Sequence, residues 1–308
     1  MNTLKSALQN YVSIRRGFGF KFRSQEKRLQ GFVRFMEERD ATVITNKLTL
    51  EWATQFPKPC PTCTLRLTDV RGFARYLSAF DSRTEVPPTQ MLPGLSRAKP
   101  YLYTEKEITK LLTAALRLRP KDGLRRWTYH YILGLLSITG LRISEVISLR
   151  REDVDHGENI LTVRDSKFGK SRLVPFHATT GDALRCYAKR RDTHLWPPRS
   201  PYFFVTDDGA RLILRYVENT FRLLCRQTGL RDSSDHTGPR LHDFRHRFAV
   251  QVLLAWYRSG QNVEVLLPGL STYLGHTRVR YTYWYLSACP ELMGQAARRL
   301  EKRWEGSS

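Results

Sequence analysis

Cysteine is scarce in this chain: 308 residues hold five, an odd number scattered from Cys60 to Cys289. Such a set forms no disulfide framework, and in a reducing compartment the thiols stay free. Cys60-Pro-Thr-Cys63 has half of a zinc-ribbon spacing, but no second Cys or His pair follows at the distances those sites use, so no metal is expected. The pair reads instead as the start of a helix, with Thr62 or Thr64 as its cap. Long apolar runs are also missing. The longest, Tyr131 to Leu141, falls well short of the roughly 20 residues a spanning helix needs. The first ten residues lack the apolar segment of a secretory signal, so a cytoplasmic location is expected. No Gly-x-x-x-x-Gly-Lys-Ser/Thr stretch occurs, and no nucleotide cofactor is implied. Acidic side chains are few: 29 Asp and Glu face 51 Lys and Arg, for a net charge of +22 and a pI near 10.1. Because the basic residues recur from Lys5 to Arg303 with no single block, they point to a polyanionic partner, with nucleic acid favoured over membrane.

What is present divides in two. Residues 1–85 read as amphipathic helices at Leu4–Ser13, Gln25–Glu38, Thr49–Gln55 and Thr64–Phe80. Leu65, Leu67, Val70, Phe73, Ala74 and Leu77 give the last of these its apolar face. Over residues 1–90 there are 15 Lys and Arg against 8 Asp and Glu, and Arg66, Arg71 and Arg75 stand on other faces as solvated surface or as phosphate contacts. Residues 86–100, with Pro87, Pro88, Pro93 and Pro100, read as an extended linker in which Lys99 is a further candidate DNA contact. Residues 101–308 form the second domain, opening with Thr104 as the cap of an amphipathic helix. Asn159–Arg164 and Ser171–Phe176 flank a Gly-containing turn as a hairpin, and Tyr202–Val205 is a candidate further strand. The expected fold is mainly α (α+β), with a small antiparallel sheet.

Several polar residues stand out. Arg142 follows Gly140 between two apolar helical segments, where a guanidinium needs a carboxylate or a phosphate. Glu145 is a structural partner as good as any ligand. His242 and Arg245, at i and i+3 on a helix, converge on one point. His242 and His246 have zinc-helix spacing, but Asp243 stands where metalloprotease motifs carry Glu. Leu274-Gly-His276 adds another donor, and Tyr285 follows within Tyr281-Thr-Tyr-Trp-Tyr285. Lys167, with Lys170 three residues on, sits at the hairpin tip.

Thr139-Gly-Leu-Arg-Ile-Ser-Glu145, Leu241-His-Asp-Phe-Arg245, Leu274-Gly-His276 and Tyr285, in this order, resemble the tyrosine recombinase (phage integrase) family of Xer-like site-specific recombinases over most of residues 101–290. The resemblance implies a helical, SAM-like core-binding domain at 1–85 and a catalytic domain at 101–308. Tyr285 would be the nucleophile, Arg142 and Arg245 the phosphate clamp, and Lys167 the general acid, with Lys170 as an auxiliary DNA contact. His242 and His276 would assist. The reaction would pass through a 3′-phosphotyrosine and a Holliday junction with no cofactor. It would take place on double-stranded DNA in a homotetramer on paired sites, with or without a DNA-bending protein or a partner recombinase, at the nucleoid. The rival readings are a type IB topoisomerase-like enzyme, which returns each strand to its original partner, and a catalytically silent DNA-binding protein of the same fold. A C-terminal helix from Glu291 to Trp304, with Leu292 and Met293 on its apolar side, packs either on its own domain or on a neighbour.

Overall fold

The computed structural model describes residues 3–55, 61–92, 99–164, 171–197, 200–232, 238–288, 291–295 and 297–298. Its contacts divide the chain into two compact units, Met1–Ala98 and Lys99–Ser308. The first holds α1 (Leu4–Gly17), α2 (Arg23–Glu37), α3 (Asn46–Ala53) and α4 (Pro61–Leu77). Thr3 and Thr45 cap α1 and α3, each accepting a backbone N–H three residues on at 3.3 Å. Leu8, Tyr11, Leu29, Phe32, Trp52, Val70 and Phe73 build a single core. Two expectations need correction here. Because α4 begins at Pro61, Thr62 and Thr64 lie inside its first turns and do not cap it. Proline suits that first position, since its fixed φ is already helical and the N–H it lacks would be unbonded. Leu65, two residues before Leu67 and so off its face, is 50% exposed.

The described part of the expected linker, residues 86–92, does not run free. Arg71 donates to the Pro87 and Pro88 carbonyls at 2.6 and 2.7 Å, and Val86, Met91 and Leu92 pack on the first core. Proline carbonyls are good acceptors on a chain that cannot join a ladder, so a basic helix face can hold this stretch.

The second unit holds α5 (Glu105–Ala115), α6 (Arg125–Thr139), the short α7 (Ile143–Val146), β1 (Val154–Asp155), β2 (Ile160–Val163), β3 (Arg172–Pro175), α8 (Ala178–His194), α9 (Leu214–Gln227), α10 (Leu241–Arg258), α11 (Val263–Leu274) and α12 (Arg280–Ala288). Among the described residues the fold is mainly helical, with one antiparallel sheet in the order β1-β2-β3. The expected hairpin is β2–β3, paired in register from Ile160 with Pro175 to Val163 with Arg172. Tyr202–Val205 adds no strand to that sheet. It makes isolated bridges, Arg150 to Tyr202 and Val205 to Arg211, because Phe203 and Phe204 are both buried in the helical core. Thr104 caps α5 in a reciprocal box with Glu107. At the C-terminal end, Leu292 is buried in the unit's own core beside Leu267 and Leu270, while Met293 is 56% exposed.

α6 is the central helix, packed against α5, α8 and α10. It stops at Gly140, whose φ of +60° is left-handed and whose absent Cβ would sit 2.6 Å from the Phe248 ring. This one glycine both turns the chain toward Arg142 and lets α10 approach. Gly140→Ala is expected to cost roughly 2–5 kcal/mol, from left-handed strain and overpacking together. An unchanged urea midpoint would show that the junction does not depend on this contact.

Candidate active site

The site is assembled on α10. Asp243, buried, accepts the Arg240 N–H at 2.8 Å and so caps the helix start. Tyr103 stacks on Phe244 at 4.4 Å and donates to the Arg240 carbonyl at 2.9 Å. Arg247, two residues after Arg245, donates to the Tyr103 carbonyl and pairs with Glu105. These contacts fix the rotation of α10, and with it where His242 and Arg245 point.

Arg245 is 1% exposed, yet it donates to two backbone oxygens: the Gly140 carbonyl at 3.0 Å and the Leu274 carbonyl. Those oxygens are the C-terminal ends of α6 and α11, where helix carbonyls are unsatisfied and carry partial negative charge. Two helix ends thus solvate the guanidinium. Burial, and then the neighbouring Arg142, still pull its pKa down to about 10.

Arg142 leads into α7. Its N–H donates to Glu145 at 2.9 Å, its guanidinium donates to the same carboxylate at 2.8 Å, and another of its nitrogens donates to the Gly275 carbonyl at 3.1 Å. Glu145 therefore is the structural partner that the spacing suggested. It has a second cation as well: Arg172 of β3 forks onto both carboxylate oxygens at 3.0 and 2.9 Å. Burial alone would raise the Glu145 carboxyl, but Arg172 and Arg142 outweigh it and hold the pKa at about 2.

α11 ends in Gly275, left-handed at φ +68°, and the turn delivers His276. The His276 Nδ1 lies 2.8 Å from the Thr282 hydroxyl, which is itself fully buried. Burial, followed by the charges of Arg245 and Arg142, lowers the pKa of His276 to about 3. His242 is open at its surface but shares that environment, and its pKa moves down for the same causes in the same order.

The three clustered tyrosines separate clearly. Tyr281 and Tyr283 are 43% and 50% exposed, whereas Tyr285 is 2% exposed. The Tyr285 ring lies 5.9 Å from His276, nearly parallel, and 5.3 Å from His246, and its hydroxyl lies within electrostatic reach of Arg245. Arg142, His242, Arg245, His276 and Tyr285 thus come together. Lys167 and Lys170, at the hairpin tip, lie outside the described residues. Among the other candidates, Arg66 donates to the Trp52 carbonyl at 3.1 Å and stacks on its ring, while Arg75 and Lys99 are exposed. Among the described residues, no cluster of three or more His, Cys, Asp or Glu is arranged to hold a metal. Nor is any helix long and apolar enough to cross a membrane.

The Phage integrase family pattern matches residues 102–291. This chain belongs to that family. The tyrosine recombinase is 48% identical to the putative integrase/recombinase y4rB of Sinorhizobium fredii, over 99% of each chain. It is 28% identical to tyrosine recombinase XerA of Thermococcus kodakarensis, over 76% of this chain and 74% of that one. Its fold matches the Tn1549 transposon integrase in complex with transposon right end DNA (TM-score 0.67, 16% identity, 96% of this chain and 98% of that one). It also matches a lambda integrase tetramer bound to a Holliday junction (TM-score 0.62, 18% identity, 90% and 78%).

The histidine and carboxylate shifts predict how the recombinase responds to acid. His276 falls from 6.5 unfolded to about 3 folded, and Glu145 from 4.5 to about 2. In both cases the unfolded chain binds protons first, so the stability these groups contribute is complete above the unfolded pKa. It is lost as pH falls toward the folded one. Thermal stability should therefore decline as pH drops below about 6.5, and His276→Gln should flatten that decline between about pH 6 and 4. An equally steep acid limb in the variant would contradict the assignment.

Proposed function

We propose that this recombinase cuts and rejoins DNA through Tyr285. The Tyr285 phenol gives up its proton, for which His242 is the proposed acceptor, its oxygen attacks the scissile phosphorus, a Tyr285–phosphate ester forms at the 3′ end, and the bond to the 5′ oxygen breaks. That oxygen takes a proton and leaves as a hydroxyl, and Lys167 is the residue proposed to supply the proton. Attack by the partner strand's 5′-hydroxyl reverses these steps and joins new ends, so the phosphodiester energy is kept in the covalent intermediate. The carrying observation is the buried Tyr285 beside the Arg245 guanidinium, which the carbonyls at two helix ends hold in place.

Arg245 and Arg142 would take the non-bridging oxygens as charge builds on them, a task that suits a planar, always-charged group. Both histidines start neutral, their pKa values being depressed, so that His242 is free to take the Tyr285 proton and His276 to hydrogen-bond the phosphate. With Nδ1 of His276 engaged by Thr282, Nε2 is the nitrogen left for the phosphate. The basic first unit would grip the duplex as the core-binding domain, with Arg75 among its contacts, and Lys99, at the start of the second unit, would be a further one. The related integrases seen on DNA, one of them as a tetramer on a Holliday junction, support a tetramer of this chain on two paired sites.

A nicked substrate that lets the cleaved 5′ fragment diffuse away tests this reading. Wild type should accumulate a protease-sensitive, denaturant-resistant protein–DNA adduct. Tyr285→Phe should bind DNA and form none, whereas Tyr281→Phe and Tyr283→Phe should form it normally. An adduct that survives in Tyr285→Phe would reassign the nucleophile. No adduct from wild type would favour a silent DNA-binding protein, and relaxation of supercoils without recombinant product would favour a topoisomerase.

A further inference from the structure

Arg172 has no part in the chemistry proposed above, yet it is closely held by its neighbours. Its side chain is 9% exposed. Two of its nitrogens fork onto Glu145 at 3.0 and 2.9 Å, and its Nε donates to the Tyr273 carbonyl at 2.7 Å. The guanidinium lies flat against Gly275, where a Cβ would meet it at 2.8 Å. These contacts close a ring. Arg172 holds Glu145, Glu145 holds both the backbone and the guanidinium of Arg142, Arg142 holds the Gly275 carbonyl, and Gly275 is the surface on which Arg172 rests. Three elements distant in sequence meet in it: α7, β3 and the end of α11.

A buried carboxylate shared by two arginines costs desolvation energy that packing alone would avoid. What it provides is geometry, because a bidentate fork fixes the carboxylate plane, and that plane then fixes the second guanidinium. We infer that Arg172 is the positioning residue for Arg142, setting that guanidinium through Glu145 against the Gly275–His276 turn. The same residue pairs with Val163 in the β2–β3 register, so it also ties the root of the hairpin to this turn. The assignment rests on the proposed strand-cleavage reaction, in which Arg142 contacts the phosphate.

The test is single-turnover cleavage of the nicked substrate at saturating DNA, well below each protein's melting temperature, for wild type, Arg172→Lys, Arg142→Ala and the double variant. Lysine keeps the charge but cannot hold both carboxylate oxygens and the Tyr273 carbonyl. Arg172→Lys should cleave about 10²-fold more slowly while its Kd for DNA stays within about 3-fold of wild type. If Arg172 acts through Arg142, the double variant should be no more than about 3-fold slower than Arg142→Ala alone. Losses that multiply, a loss confined to Kd, or a wild-type rate in Arg172→Lys would each overturn the inference. Should Arg172→Lys fail to fold, Arg172→Gln carries the same cycle, and failure of both to fold would make the residue structural and overturn it too. No adduct from wild type would overturn the cleavage reading and this inference together. An adduct at Tyr285 with multiplying losses would overturn only this inference.

Discussion

A guanidinium buried to 1% exposure and solvated by the ends of two helices is the constraint on which the second unit depends. Removing a cation from water is costly unless something replaces the hydration. A dedicated carboxylate would replace it fully and leave a neutral pair. The carbonyls of Gly140 and Leu274 replace it only in part, so the positive potential survives. Much of the local architecture follows from that choice. α6 must end at Gly140 to present its carbonyl, α11 must end at Leu274, and α10 must be held in rotation by Tyr103, Asp243 and Arg247 so that Arg245 reaches both.

That positive potential accounts for the properties of its neighbours. His276 is driven neutral by burial and by the same two arginines, and the pKa of the more open His242 is lowered beside them. Glu145, in contrast, stays ionised because it is shared between Arg142 and Arg172. The site therefore carries fixed charge on its guanidiniums and none on its imidazoles, an arrangement that would suit stabilising phosphate charge that grows during a reaction. Tyr285 is the buried tyrosine of its segment, whereas Tyr281 and Tyr283 are exposed.

How much of this could be read in the sequence depended on range. Local rules served well: the Thr104 cap, the turn at Gly140, the i, i+3 pairing of His242 with Arg245, and the β2–β3 hairpin all rest on residues a few positions apart. The pairing of Arg142 with Glu145, three residues on, was equally legible. Arg172 was not, because its carboxylate lies 27 residues earlier and a lone Arg at the start of a strand carries no signal of its own. The same holds for Thr282 beside His276, and for Pro87 and Pro88, whose prolines suggested a free linker while their carbonyls serve Arg71. At Pro61 a local rule was available and the wrong residue was favoured, since threonine caps and proline starts compete for the same turn.

The central claim is that Arg142 serves to offset phosphate charge, and a neutral phosphate tests it most directly. A substrate carrying methylphosphonate at the scissile position has one non-bridging oxygen replaced by methyl and no negative charge to clamp. With this substrate, Arg142→Ala should recover cleavage, forming the Tyr285 adduct at least ~10-fold faster than it does with the ordinary phosphate. Equal impairment of Arg142→Ala on the charged and neutral substrates would contradict the claim and leave Arg142 a structural residue.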